Sequence, residues 1–149
     1  MKIFTIGFTK KNAKKFFSIL EENNVSEIVD IRLNNSSQLA GFSKGDDLEF
    51  FLKELYGIAY THDKNLAPTK EILDDYKKGK INWDQYEVLF GNLLKNRDIK
   101  KWLDDKYDKK FEHVCLLCSE ETTNKCHRRL VAELIKNIYP ELDIEITHI

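Results

Sequence analysis

The sequence predicts a three-layer α/β domain, a mainly parallel sheet of about five strands with helices on both faces. Three observations carry this expectation. Short β-branched or apolar runs alternate with amphipathic helical stretches along the whole chain. The segments between the runs are long enough for the right-handed crossovers that parallel strands require. No internal repeat, low-complexity tract or linker divides the 149 residues, a length suited to a single core. The expected arrangement is Rossmann-like, with strand order 3-2-1-4-5.

Each element has a local reason. Ile3-Phe-Thr-Ile-Gly7 is a β-branched and aromatic run, and Ala13, Phe16, Phe17 and Leu20 follow at helical spacing. Ile28-Val-Asp30-Ile31 reads as the second strand. Asn34-Asn-Ser-Ser37 is a polar loop, after which Asp46 or Asp47 can cap a helix with Leu48, Phe51, Leu52 and Leu55 on one face. Gly57 ends that helix, and Ile58-Ala-Tyr-Thr61 is the third strand. Pro68 and Thr69 open a helix to about Lys78, and Gly79 breaks it. Asn82-Trp-Asp-Gln85 has the form of a capping box for the next helix, with Tyr86, Leu89, Phe90 and Leu93 turned inward. Asn96 to Lys110 is a charged stretch with no assigned element. Val114-Cys-Leu-Leu117 is the most apolar strand, Leu130, Val131, Leu134, Ile135 and Ile138 mark the last helix, and Ile144-Glu-Ile-Thr147 is a final strand.

Composition narrows the function classes. With 42% hydrophobic and 33% charged residues and no apolar run near the roughly 20 residues of a membrane span, a soluble protein is expected. The first residues lack the apolar region and cleavage site of a signal peptide, so the expected location is cytoplasmic. Three cysteines within twelve residues make no disulfide framework and fit a reducing compartment. A net charge of −1 argues against chain-wide binding to nucleic acid, while leaving room for a local basic patch.

Chemistry concentrates in Cys115-Leu-Leu-Cys118-Ser-Glu120-Glu-Thr-Thr-Asn-Lys125-Cys126-His127-Arg128-Arg129, where a strand gives way to a helix. Strand ends that feed helix N-termini are where open α/β sheets place ligands. Cations crowding that first turn work against the helix dipole, which points to a nearby anion, internal or bound. The expected strand order sets the loop after Gly7 against the loop after Cys118, with Asp30 and Arg32 beside the same crevice. Arg32 and Arg128 suit an anion, with Thr9 and Gly7 as further binding candidates. Asp30, Glu120 and His127 are candidate acids or bases, and Cys118 and Cys126 candidate nucleophiles, Cys126 having the better electrostatic case at the helix start. Each has a plainer reading: Asp30 and Arg32 as a buried ion pair, Glu120 as an internal partner of Arg128, and the cysteines as packing residues.

No metal is expected. A C-x-x-C pair on a strand directs its two thiols to opposite faces, unlike the tight turns of zinc ribbons. A Cys-x5-Arg phosphatase loop is ruled out because Asn124 and Ala132 stand six residues after Cys118 and Cys126. No G-x-G-x-x-G turn or other Gly-rich phosphate loop is present, so no cofactor is expected.

Thr5-Ile-Gly7, Val29-Asp30-Ile31-Arg32, Gly57-Ile-Ala-Tyr60-Thr-His62 with Leu66 and Pro68, Leu117-Cys118-Ser-Glu120, and Cys126-His127-Arg128 resemble, in order and spacing, the family catalogued as domain of unknown function 488. The resemblance spans nearly the whole chain and implies an α/β fold and a cluster of motif residues, without a reaction. Where that family usually has Gly-His-Ser, this chain has Gly7-Phe8-Thr9. Two functions fit the side chains. One is an enzyme for hydrolysis or group transfer on an anionic, nucleotide-like small molecule in a cleft at the C-terminal edge of the sheet. The other is a non-catalytic module binding the phosphate of a nucleotide or, less favoured, a nucleic acid. The convergence of thiol, imidazole, carboxylate and guanidinium favours the enzyme.

Overall fold

In the computed structural model, described over residues 1–36, 40–120 and 122–149, a five-stranded, all-parallel sheet is covered by helices on both faces. Ser37 of the expected polar loop lies outside the described residues. The strands are β1 (Lys2–Gly7), β2 (Glu27–Asp30), β3 (Ala59–His62), β4 (Val114–Cys118) and β5 (Glu145–His148). The helices are α1 (Ala13–Glu22), α2 (Gly45–Phe51), α3 (Lys70–Lys77), α4 (Trp83–Asn96), α5 (Ile99–Tyr107) and α6 (His127–Ile138). None of them is long and apolar enough to cross a membrane.

The strand order is 3-2-4-1-5, which corrects the expected 3-2-1-4-5. The reason lies in β4, whose Val-Cys-Leu-Leu-Cys sequence is buried at every position and so belongs in the middle of the sheet, covered on both faces. β1 moves one place outward, between β4 and β5. The two remain neighbours in register, Ile3 opposite Val114 and Gly7 opposite Cys118. The switch point therefore survives the correction: α1 leaves β1 toward one face while α6 leaves β4 toward the other.

Strand alternation divides the core in two. Phe4, Ile6, Ile28, Cys115 and Leu117 pack against Phe16, Phe17 and Leu20 of α1 and Leu48 of α2. Ile3, Val29, Val114 and Leu116 pack on the other face against Tyr86, Phe90 and Leu94 of α4, Ile99 and Leu103 of α5, and Val131 and Ile135 of α6. The buried α4 stripe runs at steps of four, which leaves Leu89 exposed. Asp46 and Asp47 occupy the first turn of α2, whose N-cap is Lys44, and a π turn over Leu52–Tyr56 continues the helix and turns Leu55 outward. Gly57 closes it at φ +65°, a left-handed conformation that glycine adopts without steric cost. The capping box at α4 is complete, Asn82 and Gln85 bonding each other's main-chain N–H at 2.8 Å.

Candidate functional site

β2 and β4 end side by side, Asp30 opposite Leu117, with Gly7 of β1 opposite Cys118, and the residues the sequence marked for chemistry lie at these strand ends and in the loops and helix start beyond them. Asp30 is fully buried. Its Oδ1 accepts from Arg32 Nε at 2.8 Å and from the Arg32 main-chain N–H at 3.2 Å, while Oδ2 accepts from Arg32 Nη2 at 2.7 Å and Tyr60 Oη at 2.6 Å. A carboxylate so filled orients its partner instead of moving protons. Burial alone would lower the Arg32 pKa, but the bonds and charge of Asp30 outweigh it and hold the guanidinium firmly protonated. Arg32 Nη2 also donates to the Ser43 carbonyl at 2.7 Å, and the Phe8 ring lies 5.3 Å from the guanidinium carbon. Its Nη1 is buried without a hydrogen-bond partner among the described residues.

The loops after β1 and β4 are tied together at Gly7 and Thr9. Thr9 donates to the Ser119 carbonyl from its hydroxyl at 2.5 Å and from its N–H at 3.1 Å. The Arg128 side chain, 1% exposed, donates from Nη1 to the Glu120 carbonyl. Both groups lie directly over Gly7, where a Cβ would overlap them. Gly7 and Thr9 thus serve loop closure, and the contact between Arg128 and Glu120 runs through the Glu120 main chain.

Cys118, Cys126 and His127 form one cluster, with one ligand-type atom from each lying within 4.8 Å of the others. His127 Nε2 lies 2.8 Å from the Ile31 carbonyl and so carries the ring proton, leaving the Nδ1 lone pair facing Cys118 Sγ at 3.6 Å. The hydrogen bond from Cys126 pulls the Cys118 thiol below its usual pKa against the cost of burial, helped by the Ser119 and Glu120 N–H groups and the Arg128 charge. Cys126, the N-cap of α6, is pushed up instead, because its S–H donates a hydrogen bond to Cys118 and because it is buried. The helix-start field expected to favour Cys126 thus acts on a group that is hydrogen-bonded to its neighbour. Cys115 faces the opposite side of the sheet, fully buried among apolar residues, and burial pushes its pKa up.

A cleft of about 370 Å³ opens over the cluster, lined by Arg32, Cys118, Glu120, Lys125, Cys126 and His127 on the sheet side. Tyr76, Trp83 and Tyr86, from α3 and α4, also line it. Trp83 and Tyr86 stack at 4.8 Å with their planes 15° apart. These aromatic residues were missed in the sequence as site residues, Tyr86 being read as core alone. The signal was the apolar face of α4 carrying rings at its very start. Asp30 and Arg128 stand behind the lining. A larger groove of about 560 Å³ between α4, α5 and α6 is lined by residues such as Phe90, Leu94, Leu130 and Leu134.

The fold and these motif residues define an α/β protein with a thiol-imidazole cluster at its switch point. The chain belongs to the family described as Domain of unknown function DUF488, whose profile matches residues 12–135. Neither the curated proteins nor the solved structures gave a match.

Proposed function

We propose that the protein is an enzyme that hydrolyses, or transfers a group on, an anionic, nucleotide-like small molecule in the cleft at the C-terminal edge of the sheet. The observation that carries this reading is that Arg32 lines the cleft and keeps a guanidinium N–H, Nη1, buried with no acceptor among the described residues. A buried donor left unmet costs about 1–3 kcal/mol, more for a charged group, and a substrate oxygen meets it. Lys125 at the rim adds charge, and the partly exposed Trp83 and Tyr76 offer ring faces on which a planar base stacks, with buried Tyr86 backing Trp83. Glu120, exposed on the same lining, is the carboxylate placed for proton transfer, since Asp30 is occupied. The cysteine-histidine floor is chemistry that a plain phosphate binder does not require, which favours turnover over binding alone. The three reduced cysteines fit a cytoplasmic setting.

The test is a thermal-shift comparison of nucleoside phosphates, inorganic phosphate and neutral nucleosides, followed by turnover assays with whatever binds. Anionic nucleotides should raise the melting temperature by mass action, and neutral nucleosides should not. Glu120→Gln should abolish turnover while keeping that stabilisation. Stabilisation without any turnover in the wild type identifies a binding module, and no response to any anion removes the proposal.

A further inference from the structure

We infer that Cys118, Cys126 and His127 are a three-ligand site for a soft divalent cation, Zn2+ by its chemistry, whose fourth position opens into the cleft. The spacing fits. Zinc bonds of about 2.3 Å to sulfur and 2.0–2.1 Å to nitrogen put adjacent tetrahedral ligands about 3.5–3.8 Å apart. Cys118 Sγ and His127 Nδ1 stand 3.6 Å apart, and the whole set lies within 4.8 Å.

The surroundings are those of a ligand set. A metal-binding imidazole donates its other N–H to a fixed acceptor, and His127 Nε2 donates to the Ile31 carbonyl at 2.8 Å, holding Nδ1 toward the sulfurs. The His127 ring is further held edge-on by Phe90 at 5.7 Å and 78°. Hydrogen-bond donors face both sulfurs: main-chain N–H groups of Ser119 and Glu120 at Cys118, and Arg128 Nη1 donating to Cys126 Sγ at 3.9 Å. Two sulfurs and a nitrogen, with no oxygen among the clustered atoms, select zinc over magnesium or calcium. Three protein ligands lining a cleft match the open pattern of reactive zinc centres, where structural sites have four. The strand-alternation reasoning that gave no metal removes Cys115 alone. The ligands come instead from the end of β4 and the start of α6, seven residues lying between the two cysteines. Binding of the ion rests on this geometry by itself; its use, polarising a substrate oxygen or ionising a bound water, rests on the reading of the cleft proposed above.

The test uses the full chain, reduced with a phosphine, stripped with a chelator, and titrated with Zn2+ or Co2+ against a chromophoric competitor. One equivalent should bind. Co2+ should give the intense visible bands of a tetrahedral site and a sulfur-to-cobalt charge-transfer band. Cys118→Ser and Cys126→Ser should lose both, and Cys115→Ser should keep both, with circular dichroism checking each fold. If the cysteine variants fail to fold, X-ray absorption on the zinc-loaded wild type decides, two sulfur ligands at about 2.3 Å being expected. Folded, fully reduced wild type that takes up no stoichiometric Zn2+, a bound Zn2+ without sulfur ligands, or undiminished binding in Cys126→Ser overturns the site. Nucleotide-induced stabilisation of the stripped protein is scored separately: zinc without it leaves the metal site and removes the substrate reading, and the converse removes only the metal.

Discussion

Gly7 shows how little room one residue can have. The Glu120 carbonyl and the Arg128 guanidinium occupy the space a Cβ would need, and both belong to main chain or a buried side chain that cannot swing away. Gly7→Ala should therefore cost about 1–3 kcal/mol or more by overpacking, read as a lowered urea midpoint. Arg32 is constrained by charge. Arg32→Met would strand the Asp30 carboxylate in the interior and should cost about 3–5 kcal/mol in the same measurement, with Asp30→Asn restoring part of it in the double variant. The pairing of these two was legible, since an acid and a base two residues apart at a strand end share one side of the chain. The relative acidity of the two thiols was not. It depends on the hydrogen bond that Cys126 donates to Cys118, a contact across a loop that no spacing along the chain encodes. The Arg32 vacancy for an acceptor was equally hidden, because counting acceptors requires knowing which side chains arrive.

At the scale of elements, α4 was readable and α5 was not. The capping box at Asn82 is written locally, and Asn82→Ala should lower stability by about 1 kcal/mol in urea denaturation. α5 begins at an N-cap, Asp98, that makes no side-chain capping bond, and its surface is a ladder of Lys100–Asp104 and Lys101–Asp105 pairs. Its buried stripe is Ile99, Leu103 and Tyr107 at steps of four, which with Trp102 is easily lost among charges. What fastens it is distant: buried Asp63, just after β3, accepts from Tyr107 Oη at 2.6 Å and Trp102 Nε1 at 3.1 Å. Tyr107→Phe should cost about 0.5–1.5 kcal/mol, and hydrogen exchange should show the loss concentrated in α5. β5 adds a pH response. Burial, then the Arg128 charge, hold His148 below its ordinary pKa of 6.5, with Nδ1 2.6 Å from Thr5 Oγ1. The unfolded chain then binds the proton first, so this stabilisation is complete above 6.5 and is lost as pH falls through that value toward the lower folded pKa. His148→Gln should flatten the urea midpoint against pH in that window.

At the scale of the whole molecule, five parallel strands with helices on both faces followed from alternation of patterns, while the order of the strands did not. Sequence periodicity says which faces are covered, and only the doubly buried β4 hinted at the centre. Its central place governs how the chain can assemble. β1 pairs only with β4 and β5, and β2 only with β3 and β4. During synthesis, residues 2–7 consequently wait for residues 114–118 before they have any strand to join, and the earlier part of the chain can offer no more than the β2–β3 pair. Closing a loop of that length is an entropic barrier that slows collapse to the native topology. A chain cut after Lys110 should show no cooperative thermal transition, and refolding of the intact chain should be slower than for a helical domain of equal size. The strand that seals the sheet also ends in Cys118, so this protein acquires its fold and its reactive cluster in a single late event, and because its three cysteines lie between residues 115 and 126 a nascent chain carries no thiol on the ribosome until the strand that will bury it is made.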